Sequence, residues 1–505
     1  MSRALDSIER IGNKLPDPAA LFLALLLVTW ILSYLLAPVT FSELDPRSKQ
    51  PLKVVNLLAG RELARLLADL VKIFTGFHPL GVVLVAILGV GVAEHTGFVN
   101  VVLRVLLGVT PKRLLTPAVV TAGLLSHTAA DAGYVLVIPV GGVIFRAAGR
   151  HPLAGIGAAF TGVAGGFSAC FVPTSLDPLL QGFTQAAAQL VDPSVVVNPL
   201  ANFYFTTSSS LLIIGLGWFL TDRIVEPRMQ HVPVDGDSSE LPKLEALSSN
   251  EKRGLILAVL TTVGLVSLVV SAALPTDSPL RSPSGELAAS TAPLMQGIVA
   301  LIFLGFLIPG AVYGFAARTV KTHRDVVLGM SRAMGTMSYY LVMAFFAALF
   351  IDAFGRSNLG ALIALKGAAA LKAAAMPAQL TIVGIIFIST VVNLAIGSAS
   401  AKWALLSPVF VPMLMHLGLS PELTQAAYRI GDSSTNIITP LNPYFPLVVV
   451  FCRRFCSTTG IGTLISLMLP YSVTILLSWT VFLLVYWSLD FSLGLQASYV
   501  YVVAP

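Results

Sequence analysis

The sequence predicts an all-α polytopic membrane protein, an inverted repeat of about nine transmembrane helices plus two re-entrant helical hairpins. Three observations carry this expectation. The 505 residues are 56% hydrophobic and only 11% charged, where soluble domains carry about 25% charged residues, and many apolar runs approach the roughly 20 residues that span a bilayer. Two polar, proline-containing stretches, GFSACFVPTSLDP (166–178) and GDSSTNIITPLNP (431–443), interrupt apolar sequence at matching places. Basic residues are distributed so that the two halves have opposite orientations.

Residues 1–17 are charged, lack an early apolar core and read as a cytoplasmic N-terminus. The run from Pro18 to Ala37 is too long for a signal-peptide core and has no cleavage site after it, so it is a retained span that opens a first transmembrane half, 18–221. SELDPRSKQPLK (42–53) is polar, 60–74 is amphipathic, and 78–98 is a second span that Glu94 and His95 end. VNVVLRVLLG (99–108) carries Arg104 and reads as interfacial. Residues 114–147 are apolar but interrupted by SHTAADAG (126–133), which predicts a hairpin. Lys112, Arg113, Arg146 and Arg150 flank it, so both ends are cytoplasmic. A crossing at 152–172 runs into the first broken segment, and a span at 202–220 leads to a basic cytoplasmic loop, 222–253.

The second half, 254–487, opens with spans near 254–274, 293–317 and 334–353. The basic loop RTVKTHRD (318–325) is cytoplasmic, and 275–292, with one arginine, is external. Lys366 and Lys372 sit in a short alanine-rich segment like that around Arg104. A second hairpin, 377–415, is interrupted by GSASAKW (397–403) and lacks basic flanks, which places its ends outside. In SPELTQAAYRI (420–430), Ser420 is placed to cap and Pro421 to occupy the first helical position. The second broken segment leads to Arg453 and Arg454 inside. A last span, 461–487, precedes a tail, 488–505, without lysine or arginine and so external.

Setting Leu176-Asp177-Pro178 on Leu441-Asn442-Pro443 brings, without a gap, Gly166 onto Gly431, Ser168 onto Ser433 and Thr174 onto Thr439. In the hairpins, Tyr134 with Pro139 matches Trp403 with Pro408. Order, spacing and charge bias together indicate an inverted repeat, the architecture of many secondary transporters. Broken helices at membrane depth must line a wet cavity or be buried in protein, and their ends suit ions: N-termini favour anions, freed carbonyls favour cations.

Several function classes are excluded. The three cysteines (Cys170, Cys452, Cys456) form no disulfide framework, and the CxxxC pair lacks further ligands for a metal. No Walker A motif points to ATP, and no HExxH or nucleophile elbow points to an enzyme. The net charge of +6 belongs to cytoplasmic loops rather than to nucleic-acid binding. No cofactor is expected beyond Na⁺ or H⁺ as coupling ion; the expected partners are a small-molecule substrate and membrane lipids.

Asp432 is a charge deep in apolar sequence, costing about 2.5–3.5 kcal/mol on insertion scales. Arg429, one turn earlier, is its expected partner; it is also a fork for a substrate carboxylate. The pair neutralises Asp432 in one state and frees it for a cation or proton in another. Asn393, Ser398, Ser400, Ser433, Ser434, Thr435 and Asn436 supply neutral oxygens, which suit a hard cation such as Na⁺ at Asn393 and Asp432 or serve helix packing. Trp403 stacks on an aromatic ring or anchors the fold. Lys402 snorkels or faces the cavity. Asp177 and Asp131 bind a cation or cap a half-helix; His127 beside Asp131 suggests a proton relay or a metal site. Pro440 and Pro443 hold the chain open.

At TDRIVEPR (221–228), AYRIGDSSTNIITPLNPY (427–444) and SASAKWALLSPVFVPM (398–413), the sequence resembles the AbgT family of transporters over nearly the whole chain. The resemblance implies a bacterial inner-membrane homodimer with nine spans, two hairpins and an internal water-filled cavity. It implies p-aminobenzoyl-glutamate as substrate, sulfonamide export in some members, and coupling to H⁺ or Na⁺. By motif position it places functional residues at Asp177, Ser400, Trp403, Pro421, Arg429, Asp432 and Pro440, with Asn393 in the cation site. The function expected is therefore cation-coupled transport of p-aminobenzoyl-glutamate-like acyl amino acids or sulfonamides. The alternatives are an ion-coupled dicarboxylate or short-peptide transporter, or a channel.

Overall fold

The computed structural model describes residues 18–43, 50–108, 110–129, 133–230, 232–236, 246–287, 289, 291–394 and 396–502. The expected N-terminal segment 1–17 and the hairpin-tip residue Asp131 lie outside these residues.

Among them the chain forms helices and no strand. The first half comprises α1 (Pro18–Leu36), α2 (Gly60–Thr75), α3 (His78–His95), α4 (Phe98–Gly108), α5 (Leu115–Leu125), α6 (Ile138–Ala147), α7 (Pro152–Phe160), α8 (Leu176–Ala188) and α9 (Phe203–Leu220). The second comprises α10 (Ser249–Ala273), α11 (Ile298–Ala317), α12 (His323–Thr336), α13 (Ser338–Arg356), α14 (Leu359–Ala373), α15 (Ala378–Asn393), α16 (Ala399–Met415), α17 (Pro421–Thr435), α18 (Phe445–Arg453) and α19 (Ile461–Ser488). Wider turns extend α6 back to Gly133, α7 on to Gly165 and α9 on to Val225.

Seven helical stretches among the described residues are long and apolar enough to cross a membrane, where the sequence led us to expect about nine crossings. The other apolar helices are shorter, and they are the arms of the two helix-break-helix units together with α7. Length separates the two groups: 18 or more residues reach across hydrocarbon, and 10–17 do not unless continued.

Two cores result. One gathers α5, α6, α7, α9, α15, α17 and α19; the other gathers α1, α8, α13 and α16 with parts of α2 and α14. In the first, α15 lies along α17 and α5 along the extension of α7. Close approach is what these contacts need: a Cβ on Gly155 of α7 would stand 2.3 Å from the Gly141 carbonyl oxygen of α6. By contrast α10 leans only on its neighbours α11 and α4. Ile256, Leu260, Val263 and Leu268 on its outer face are largely exposed, the arrangement that hydrocarbon favours and water does not.

The N-terminus of α10 is closed by Ser248 and Glu251, each accepting from the other's backbone N–H at 3.2 and 2.8 Å. Arg104 pairs with Glu251 at 2.8 Å and so fixes the short helix α4 to this end. At one end of the bundle, Arg150 forms ion pairs with Asp222 (2.5 Å) and Glu226 and donates to Thr116 (2.8 Å). One guanidinium thus joins the start of α5, the loop before α7 and the extension of α9. These acids belong to the TDRIVEPR stretch that supports the family resemblance.

The breaks fall near, but not at, their expected positions. Residues 166–175 separate the α7 extension from α8, and 436–444 separate α17 from α18. The helix α17 therefore continues through Asp432, Ser433, Ser434 and Thr435, which the sequence led us to place in the break. The hydroxyls explain it: Ser434 Oγ donates to the Ile430 carbonyl (2.8 Å) and Thr435 Oγ1 to that of Gly431 (3.1 Å), so both are satisfied inside the helix. In the second unit the interruption falls at 394 and 396–398 among the described residues rather than at 397–403. Ser398 Oγ caps α16 by accepting from Ala401 N–H (3.3 Å), and Ala-Ser-Ala-Lys-Trp continues as helix. Ser420 caps α17 as expected, with Pro421 at its first position.

Candidate functional site

Four elements meet at the two breaks: the N-terminus of α8, the end of α15, the start of α16 and the last turns of α17. Gly431 permits the tightest of these contacts, because a Cβ there would lie 2.5 Å from the Ile386 carbonyl oxygen of α15. That approach brings Asn393 at the end of α15 beside Asp432.

Four buried charges sit here as two pairs. Lys402 Nζ meets Asp432 Oδ1 at 2.5 Å, both side chains 1% exposed. Arg429 donates to Asp177 Oδ1 at 2.8 Å, with exposures of 2% and 9%. The expected pairing of Asp432 with Arg429 is therefore incorrect. A pair made within α17 would leave Lys402 and Asp177 buried without counter-charges, each at several kcal/mol. Pairing across helices satisfies all four and ties α16 to α17 and α17 to α8. The reach of Arg429 carries its guanidinium to the first turn of α8, where a carboxylate is also favoured by the helix dipole. Asp177 caps as well as pairs: its Oδ2 accepts from Thr174 N–H (2.9 Å) and Oγ1 (3.2 Å).

Asn393 organises the oxygens. Its Nδ2 lies within hydrogen-bond distance of the Asp432 carbonyl (2.6 Å), Thr435 Oγ1 (2.8 Å) and Asn436 Oδ1 (3.0 Å), which share its two N–H groups, and its Oδ1 accepts from Lys402. Tyr428 OH donates to the Ala399 carbonyl (2.5 Å) and approaches Asp432 Oδ1 at 3.3 Å. The first break touches the last turn of α17, since Ser433 Oγ accepts from Ser168 N–H at 3.0 Å. Asp432 Oδ2, Arg429 Nε, Ser168 Oγ and Thr439 Oγ1 are buried without a hydrogen-bond partner. Buried polar atoms are mostly paired in folded proteins, and these four exceptions lie at or next to the breaks.

Trp403 is fully buried and stacks on Tyr428 of its own chain, centroids 4.5 Å apart at 24°. Its Nε1 donates to Thr184 Oγ1 (2.8 Å) and the Leu180 carbonyl (3.2 Å) on α8. Tyr134 has the converse relation: it stacks on Tyr444 (4.2 Å, 19°) and its hydroxyl accepts from Asn442 Nδ2 (3.3 Å). Tyr134 thus reaches into the second break, and Trp403 reaches the helix that follows the first.

The structure brings together Asn393, Asp432, Ser433, Thr435, Asn436, Arg429, Asp177 and Trp403. Ser400 is half-buried and shares a 3.2 Å hydrogen bond with Ser398. Pro440 lies in the break, half-buried. Pro421 is not at the cluster; it starts α17, about 16 Å along the axis from Asp432. His127 bonds the Val163 carbonyl (2.8 Å) through Nε2 and lies edge-on to Phe167. The relay suggested for His127 and Asp131 involves a residue outside the described ones. Lys402 is the residue that sequence reasoning undervalued; its signal was a lysine amid small residues in an apolar helix pair.

Among the described residues no group of three or more His, Cys, Asp or Glu gathers as a metal site. The three cysteines are free and buried.

Known proteins resemble this chain in sequence and in overall fold. The family described as the AbgT putative transporter family matches residues 3–501. The p-aminobenzoyl-glutamate transport protein of Escherichia coli K12 is 34% identical over 487 residues, 96% of this chain and 95% of that protein. The YdaH transporter of Alcanivorax borkumensis is similar in structure, with a TM-score of 0.89 and 42% identity, covering 95% of this chain and 100% of that one. MtrF of Neisseria gonorrhoeae, which illuminates a class of antimetabolite efflux pumps, gives a TM-score of 0.92 at 42% identity, covering 98% and 100%.

Proposed function

The chain belongs to the AbgT family of membrane transporters, and from that premise we propose that it is a cation-coupled secondary transporter of p-aminobenzoyl-glutamate-like aromatic acyl amino acids or of sulfonamide antimetabolites. The observation that supports this most is the pair of buried, charge-balanced contacts at two helix breaks, Asp432 with Lys402 and Asp177 with Arg429. Buried ions that are only structural are replaced at little cost by apolar residues. In a transporter they have a use: each acid can exchange its basic partner for a travelling cation, and each base can exchange its acid for a substrate carboxylate.

In this reading Arg429 takes a substrate carboxylate in a bidentate fork, which requires release from Asp177. The aromatic ring of the substrate stacks on Trp403 once α16 and α17 part, and Ser400 and the half-helix N-termini supply donors. Asp432, with Asn393, Thr435 and Asn436, holds the coupling ion, Na⁺ or H⁺. The protein works as a homodimer in the bacterial inner membrane by an elevator or rocking motion. Its N-terminus is cytoplasmic and its C-terminal tail periplasmic, as the positions of its basic residues favour. The two halves form an inverted repeat; the Ser168–Ser433 bond between matched residues and the exchanged aromatic contacts of Tyr134 and Trp403 support it.

The test is counterflow of labelled p-aminobenzoyl-glutamate in proteoliposomes. Saturable counterflow that benzoyl-glutamate competes for and succinate does not is the expected result. Competition by succinate favours a dicarboxylate transporter instead, and non-saturable flux favours a channel.

A further inference from the structure

Lys402 is not among the functional residues that the family resemblance implies, yet it is fully buried and lies at the centre of the cluster. Its Nζ rests on Asp432 Oδ1 at 2.5 Å and donates to Asn393 Oδ1. These are the oxygens, one carboxylate and one amide, that a small hard cation would use. The amide cannot turn away, because Asn393 Nδ2 is held by three acceptors. Asp432 Oδ2, beside this contact, is buried without a hydrogen-bond partner. The four-carbon stem of lysine lets the charge move without moving α16.

We propose that the Lys402 ammonium is a tethered cation that occupies the coupling-ion position between Asp432 and Asn393, and that it and an alkali cation hold this position in turn. The proposal rests on the reading above that Asp432 carries the coupling. Two positive charges cannot share these oxygens in a low-dielectric interior, so occupancy is exclusive. Nor can an ionised Asp432 remain buried without a positive partner, so the position is filled in every closed state that keeps the carboxylate charged. When the ion arrives, Lys402 is displaced and becomes free to meet a substrate carboxylate. When the ion leaves, Lys402 returns and neutralises Asp432 for the empty carrier's return. Ion and organic anion are thereby linked through one side chain, each favouring the binding of the other.

The experiment compares Na⁺ binding with transport, using purified full-length protein and NaCl against choline chloride at constant ionic strength. The Na⁺-dependent thermal shift reads affinity without any organic substrate, so it fails independently of the substrate reading, which counterflow tests. In Lys402→Met the tethered competitor is gone. Its Na⁺ affinity is expected to rise about tenfold or more, while gradient-driven transport falls by a similar factor. Lys402→Met combined with Asp432→Asn should show no Na⁺ response. Should Lys402→Met not fold, Lys402→Gln keeps a donor for Asn393 Oδ1, removes the charge and gives the same readout. A merely structural lysine would lose affinity and transport together. Na⁺ affinity that is unchanged or weaker in the variant overturns the proposal, as does driven transport at the wild-type rate.

Discussion

Arg429 and Asp177 meet at 2.8 Å across 252 positions of sequence, and neither side chain is more than 9% exposed. This contact joins the helix before one break to the helix after the other. Removing either partner leaves a buried charge unpaired, at about 3–5 kcal/mol. Arg429→Met and Asp177→Asn are each expected to lower the unfolding free energy in detergent by an amount in that range, and the double variant by much less than the sum. A double-mutant cycle checks this; additive losses would mean that the two residues do not interact.

Gly431 lies against the α15 backbone, where a Cβ would be 2.5 Å from the Ile386 oxygen. Gly431→Ala must push α15 and α17 apart and displace Asn393 from its three acceptors. We expect a loss of about 1–3 kcal/mol, measured by thermal unfolding, with a weaker response to the coupling ion. Gly264 on α10, which has nothing within 4 Å, is the control: Gly264→Ala should be tolerated.

Trp403 contributes a ring to the Tyr428 stack and an N–H to Thr184. Trp403→Phe keeps the first and loses the second, at about 1 kcal/mol. If the ring also receives the substrate's arene, Trp403→Phe should retain p-aminobenzoyl-glutamate transport with a modestly raised KM. Trp403→Ala should raise KM far more than the difference in stability explains. Equal KM values in the two variants would remove the stacking role.

Arg150 holds Thr116, Asp222 and Glu226 in a half-buried network. One ammonium cannot bridge three partners as a guanidinium does. Arg150→Lys should therefore restore little of what Arg150→Ala loses, about 1–3 kcal/mol of stability, in the same unfolding assay. Full rescue by lysine would show that charge alone matters there.

Much of this arrangement was legible in the sequence. Apolar runs gave the long helices, and the paired polar stretches gave the two breaks to within a few residues. Ser420 and Pro421 marked the start of α17 because capping is local chemistry. The charge pairing was not legible. Sequence spacing offered Arg429 as the partner of Asp432, three positions away; the actual partners, Lys402 and Asp177, arrive from other helices and are chosen by burial. The end of α17 was also misplaced, since serine and threonine read as break residues until their hydroxyls return to the helix's own carbonyls. Lys402 read as snorkelling or facing the cavity, and only packing shows that α16 carries it fully inward to Asp432.

The central claim is that Asp432 couples ion to substrate. It is tested most directly by uptake of labelled p-aminobenzoyl-glutamate into proteoliposomes under imposed Na⁺ or H⁺ gradients, comparing wild type with Asp432→Ala of matched folding. The account predicts that the gradient drives accumulation by the wild type and none by the variant. Undiminished gradient-driven accumulation by a folded Asp432→Ala protein would contradict it.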